Sequence, residues 1–136
     1  MTSDYKLEET YLFVRIFQRT REKSAVEQTM RQLLLICDIA GQPLENKSFR
    51  YWRDESLMIF SLQYQMGEDT GSNKMQTIAD QLSSQWVKND SVSFTWKPEC
   101  GPFAIEHVEF ADIEMVPVTE YFELSDQSVK VLSSEK

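Results

Sequence analysis

Apolar residues in this chain recur at two different periods, and the order in which the periods alternate limits the fold more than any other feature. Tyr11-Leu-Phe-Val-Arg-Ile-Phe17 is aromatic, β-branched and only loosely alternating, the pattern of a strand buried on one face and partly covered on the other. Ser24-Ala-Val-Glu27 reads as a capping box. Behind it Val26, Met30, Leu33, Leu34, Cys37 and Ala40 follow steps of three and four, and Gly41 with Pro43 supplies a stop, so a helix is predicted. Ser48–Trp52 and Leu57–Tyr64, separated by Arg53-Asp54-Glu55, form a predicted antiparallel hairpin.

The second half repeats the alternation less clearly. Gly67 to Asn73 reads as a loop in which Ser72 or Asn73 can cap a second helix, whose apolar face is Met75, Ile78, Ala79, Leu82 and Trp86. Ser91–Trp96 alternates as a fourth strand, and Phe103–Phe110 is expected to be a fifth. A short sixth strand from Ile113 to Val118 contains Pro117, which restricts it to a sheet edge.

The resulting order is β, α, β, β, α, β with an added C-terminal β-hairpin. Right-handed crossovers then place both helices on one face of an antiparallel sheet, so the expected class is α+β, ferredoxin-like (split βαβ). A chain of 136 residues fits one domain, expected over 1–124, with 125–136 as a frayed tail. That arrangement serves many unrelated activities and assigns none.

Charge is unevenly distributed. The chain carries 14 Lys and Arg against 22 Asp and Glu, a net charge of -8. Residues 99–136 hold only Lys130 and Lys136 against nine carboxylates, so nearly all of the excess lies there. Such a segment repels phosphate backbones and attracts a basic partner. Its carboxylates interleave with Ile105, Val108, Phe110, Ile113 and Met115. They form either a docking patch or simply the solvated faces of strands.

Few residues here can do chemistry. His107 is the single histidine; on a strand it would share a face with Glu109, but no sequence signal supplies a nucleophile opposite them. Glu106, Glu109, Asp112 and Glu114 lack the spacing of a calcium loop. No zinc ligand set and no phosphate loop occurs, and with four glycines a phosphate cradle lacks material, so no cofactor is expected. Cys37 falls on the helical stripe as a buried thiol, and Cys100 sits in a proline-flanked turn. The third strand, Glu55–Tyr64, has neither the glycine nor the basic start of an RNA recognition module. Phe49, Tyr51, Trp52, Phe60 and Tyr64 therefore read as core or sheet packing rather than as base-stacking rings, and no nucleic-acid partner is expected. Arg15, Arg19, Arg21 and Lys23 form either an anion grip or a solvated connection.

No apolar run approaches the roughly 20 residues of a membrane span, and Met1–Tyr5 lacks a secretory pattern, so a soluble cytoplasmic protein is expected. In size, acidity, want of a catalytic set and want of a signal peptide, the chain resembles the small acidic immunity proteins of bacterial toxin systems, including those of contact-dependent inhibition. The resemblance implies a non-enzymatic neutraliser of a basic toxin domain, such as a nuclease. The partner-binding residues expected for it are Glu106, Glu109, Asp112, Glu114, Glu120 and Glu123, with Tyr121 and Phe122 as apolar anchors. The alternative is a regulatory or ligand-sensing module of the same fold, working as a homodimer.

Overall fold

The computed structural model of the protein describes residues 10–118, and of residues 68–72 only the backbone. Its six strands form one antiparallel sheet. They are β1 (Thr10–Arg19), β2 (Glu45–Tyr51), β3 (Asp54–Met66), β4 (Val87–Asp90), β5 (Ser93–Trp96) and β6 (Val108–Pro117), in the spatial order β2-β3-β1-β6-β5-β4. Helix α1 (Lys23–Ile36) joins β1 to β2, and α2 (Glu68–Leu82) follows β3. The class is therefore α+β.

Strand β1 sets the plan of the molecule. Leu12, Val14 and Ile16 are fully buried, whereas Phe13 and Phe17 on the opposite face are half-buried and Arg15 is exposed. Period two separates these sets onto two faces. The first face packs against both helices and merges with Leu33, Cys37, Met75, Ile78 and Leu82 in one core, to which β3 adds Phe60, Leu62 and Tyr64. The helical stripe Val26, Met30, Leu33, Leu34, Cys37 and Ala40 all meets that core. Beyond Ile36 the chain tightens into a 3₁₀ turn over Cys37–Ala40, and Gly41 at φ 85° ends it in a backbone region that glycine enters at little cost.

Several expectations need correction. Helix α1 begins at Lys23, after Glu22, and no side chain caps it; the Val26 amide bonds the Glu22 carbonyl, so Ser24 already lies inside the first turn. Helix α2 begins at Glu68 rather than after Asn73, so the stretch read as a loop is its first turn and more. It ends at Leu82; Trp86 lies beyond it and returns to it by donating its indole N–H to the Ala79 carbonyl at 2.8 Å. A short strand, β4, precedes β5 and pairs with it as a hairpin.

The largest difference is at the C-terminal side. Phe103–His107 is not strand, and β6 is one continuous strand between β1 and β5 instead of two arms of an added hairpin. Phe103 packs edgewise on Trp86 and 4.5 Å from Trp96, and Ile105 is buried, so the apolar run that resembles a strand is a loop that closes the core. Pro117 does not define a sheet edge: it is the last residue of β6, opposite Thr10.

Candidate functional site: an aromatic cleft on the open face of the sheet

Because both helices cover one face, the other face is open among the described residues. Alternation along β1, β2, β3 and β6 brings Phe17, Phe49, Tyr51, Leu57, Ile59 and Phe110 to one end of it. These residues line a cleft of about 650 Å³, with Trp52 from the β2–β3 turn at its rim. Phe17 is the centre. Its ring meets Tyr51 at 5.3 Å and Phe110 at 5.4 Å, both nearly perpendicular, the edge-to-face geometry aromatic quadrupoles favour. Trp52 is 77% exposed and Phe49 43%, large areas to leave in water. Arg53 lies 4.6 Å from the Trp52 ring centre as a cation–π partner.

Two charge pairs fence the cleft. Arg15 on β1 grips Asp112 on β6 through Nε and Nη2, at 3.2 and 2.6 Å, and its guanidinium lies 5.3 Å from the Phe17 ring centre. Arg19 makes a two-pronged pair with Glu109 and lies 3.6 Å from Asp54. The hydrogen bond from Arg19 holds the Glu109 carboxyl below its ordinary range, and the same contact raises the guanidinium. Asp54 is lowered chiefly by the hydroxyl of Ser56, which donates to it at 2.6 Å.

A β-bulge makes the second pair possible. The β1–β6 register slips between Phe17 and Gln18, so Phe110 faces Phe17, Val108 faces Gln18, and Glu109 is the extra residue. Before the bulge, His107 takes a left-handed backbone, φ 64°, the one non-glycine residue with positive φ among those described. Its carbonyl accepts the Arg19 amide at 2.9 Å. From below, buried Gln18 donates to the Glu106 carbonyl and accepts from the Thr29 hydroxyl, each at 2.9 Å. His107 is therefore not a strand residue sharing a face with Glu109. Its ring is exposed, 3.9 Å from the Glu106 carboxylate.

The expected partner-binding residues divide accordingly. Glu109, Asp112 and Glu114 stand on the open face, the first two already paired to arginines. Glu106 lies on the loop at the end of the sheet with its side chain 91% exposed. Glu120, Tyr121, Phe122 and Glu123 lie outside the described residues. Arg15 and Arg19 are engaged by carboxylates, so they form no anion grip. Of the rings read as packing, Phe60 and Tyr64 are buried, but Phe49 and Trp52 are not. Period two in β1 and β2 carried this signal: Phe13 and Phe17 cannot face the same side as Leu12 and Ile16.

A second concavity, polar and about 350 Å³, lies at the end of the sheet between α1 and the 104–107 loop, lined by Gln18, Gln28, Thr29, Gln32, Glu106 and His107. Among the described residues no set of three His, Cys, Asp or Glu side chains is grouped to hold a metal, and no helix is long and apolar enough to cross a membrane. Cys37 is buried, and burial pushes its thiol up to about 12.

No family model matches the chain, and no curated protein does. Among solved structures, a Sulfolobus solfataricus protein of the family model DUF54 is similar over 93% of this chain and 99% of its own, at 10% identity and a TM-score of 0.37. A likeness that loose carries no argument.

Proposed function

We propose that this chain is a non-enzymatic binding protein that captures a basic protein partner on the open face of its sheet, as an immunity protein captures a toxin domain. The observation that carries the reading is the exposed aromatic cluster: Trp52 and Phe49 leave large apolar areas in water around a cleft lined by Phe17, Tyr51 and Phe110. Aromatic anchors in a pocket are where binding energy concentrates. Trp52, Tyr51 and Phe49 join Tyr121 and Phe122, which lie outside the described residues, as the proposed apolar anchors.

The charge of the partner follows from β6. Its open side presents Glu109, Asp112 and Glu114, and the molecule carries -8 overall. Exposed arginine–carboxylate pairs such as Arg15–Asp112 contribute little in water. Each carboxylate has about four lone-pair sites, so a partner cation can join without expelling the resident arginine. Water excluded by the partner then strengthens both contacts. For the architecture we propose a split βαβ core: β2-β3-β1-β6 keeps the order that arrangement requires, and the β4–β5 hairpin extends its edge.

The test starts by asking whether the adjacent reading frame encodes a basic domain, and follows binding to a purified basic nuclease domain of that kind by surface plasmon resonance. Trp52→Ala should weaken binding on the order of tenfold or more while the fold is retained. Glu106→Lys with Glu114→Lys should slow association and flatten its salt dependence. Unchanged affinity in both variants overturns the reading. The homodimeric ligand-sensing alternative is supported by one observation, the polar cavity beside His107. A small molecule co-purifying with the wild type, and lost in Gln28→Ala, would favour it.

A further inference from the structure

Of the four buried polar residues among those described, two line one cavity. Gln18, 6% exposed, and Thr29, 4%, stand on the wall of the polar concavity of about 350 Å³ at the end of the sheet, with Gln28 and Gln32 from α1 and Glu106 and His107 from the loop around them. Polar groups are costly to bury unless their hydrogen bonds are met. Here they are met, and the way they are met decides what the cavity can still bind.

Thr29 spends its hydroxyl proton on the Gln18 carbonyl oxygen, and Gln18 gives an amide N–H to the Glu106 carbonyl, each at 2.9 Å. Gln32 gives an N–H to the Ala104 carbonyl at 3.5 Å. These bonds consume donors and leave acceptors: the lone pairs of the Thr29 hydroxyl, and the second lone pair on the carbonyl oxygens of Gln18, Ala104 and Glu106. The Glu106 carboxylate, 91% exposed, adds a negative charge at the rim. The turn that brings the Glu106 carbonyl to Gln18 runs through the left-handed backbone of His107, φ 64°, a strained form of the kind that collects at ligand sites.

We infer that this cavity binds a guanidinium group, carried by an arginine side chain or by a small molecule. Such a group has planar N–H donors, no acceptor and a fixed positive charge, so it matches acceptors offered from β1, α1 and the 104–107 loop better than an ammonium, whose donors leave from one point. The amides of Gln28 and Gln32, four residues apart and so on one side of α1, can each turn their oxygen inward to complete the set. The volume lies at the small end of the range for ligand pockets, about 300–1,000 Å³, which suits one side chain or a molecule of that size. The cavity shares no lining residue with the aromatic cleft, so the inference stands whether or not that cleft captures a basic protein.

Nα-acetyl-arginine N-methylamide, titrated into the isotope-labelled full chain at constant ionic strength and followed by two-dimensional NMR, tests it. Saturable shifts should appear at the amides of residues 28–32 and 104–107, with a dissociation constant on the order of 1 mM. Glu106→Lys should weaken binding on the order of tenfold and Gln32→Leu about threefold, both at exposed positions where the spectrum itself reports the fold. The matching citrulline derivative, neutral and of nearly the same shape, should bind about tenfold more weakly, and the lysine derivative about threefold. Free arginine separates the two sources: affinity no better than that of the blocked form assigns the site to a protein side chain, and clearly tighter binding assigns it to a small molecule. The absence of saturable shifts at those residues overturns the inference. So does a citrulline or lysine derivative that binds as well as the arginine one, an affinity indifferent to both substitutions, or shifts confined to the open face around Trp52 and Glu109.

Discussion

The two faces of this sheet are built from the same strands and almost the same kinds of residue, yet they do opposite things with apolar area. On the helix side, Leu12, Val14, Ile16, Phe60, Leu62 and Tyr64 are fully buried under α1 and α2. On the open side, Phe17, Phe49, Tyr51 and Phe110 gather into a cluster that is only partly covered by its own members and by arginine–carboxylate pairs. A face that served stability alone would carry polar residues toward water. Under the proposed function, the exposed aromatic area on the open side is the area that meets the partner.

Stability should therefore depend on the two faces unequally. Phe60→Ala should cost about 3–5 kcal/mol, since it removes a fully buried ring and leaves a cavity, while Trp52→Ala should stay within about 0.5 kcal/mol. Chemical denaturation measures both. Comparable losses at the two positions would mean that the open face is structural after all.

The buried side also contains a group that responds to alkali. The Cys37 thiol is raised to about 12 by burial, well above the usual thiol range. Above its ordinary pKa the unfolded chain releases this proton while the folded chain keeps it, so fewer protons are bound on unfolding and stability falls as pH rises. The loss should run from about pH 9 toward pH 12 and reach on the order of 2–4 kcal/mol, given about 1.36 kcal/mol per pKa unit. Cys37→Ala should remove most of it. Tyr64, also raised by burial, keeps a residual slope at the upper end. An alkaline limb identical in wild type and variant would show that Cys37 is solvated, breaking the contrast between the faces.

A smaller effect is expected at a polar link inside the sealed side, between Thr29 and Gln18. Thr29→Val leaves the buried Gln18 carbonyl oxygen without the hydroxyl that bonds it, a cost of about 1–3 kcal/mol. Gln18 also supports the Glu106 carbonyl beside the bulge, so hydrogen exchange at residues 106–109 should accelerate in Thr29→Val. Stability loss without faster exchange there would separate the link from the bulge.

Much of the sealed side was legible in the chain, and less of the open side, for physical reasons. The stripe through Leu33 and Cys37 and the hairpin around Trp52 follow from local periodicity, and both formed. Val87-Lys-Asn-Asp90 is a strand only because β5 pairs with it; its own residues are mostly poor strand formers. Phe103 and Ile105 alternate like strand residues, yet they pack against Trp96 and into the core from a loop, which periodicity does not distinguish. For the site, the acidic excess of β6 could be counted, but not its neutralisation. Arg15 meets Asp112 across 97 positions, and Arg19 meets Glu109 only because of a bulge the sequence does not mark. The cluster around Phe17 is likewise a product of register. Phe110 comes from the C-terminal third and Tyr51 from the hairpin, and only the order β2-β3-β1-β6 brings them together.

The smallest expected effect tests the other half of the contrast, that charge on the open side is held at the surface. Arg19 keeps the Glu109 carboxyl depressed through a hydrogen-bonded pair that remains largely exposed. A carboxylate with a lowered folded-state pKa stabilises above its unfolded pKa and loses that contribution as pH falls through the folded value. The affected window therefore opens near the ordinary glutamate value of about 4.3 and extends below it. Glu109→Gln should shift the acid unfolding midpoint slightly upward in low salt, and the shift should fade at about 1 M salt, where screening reaches only about 3 Å. A salt-insensitive shift would instead mean that the bulge holds Glu109 in a low-dielectric site. The open face would then be partly closed around its charges, as the helix side is around its rings.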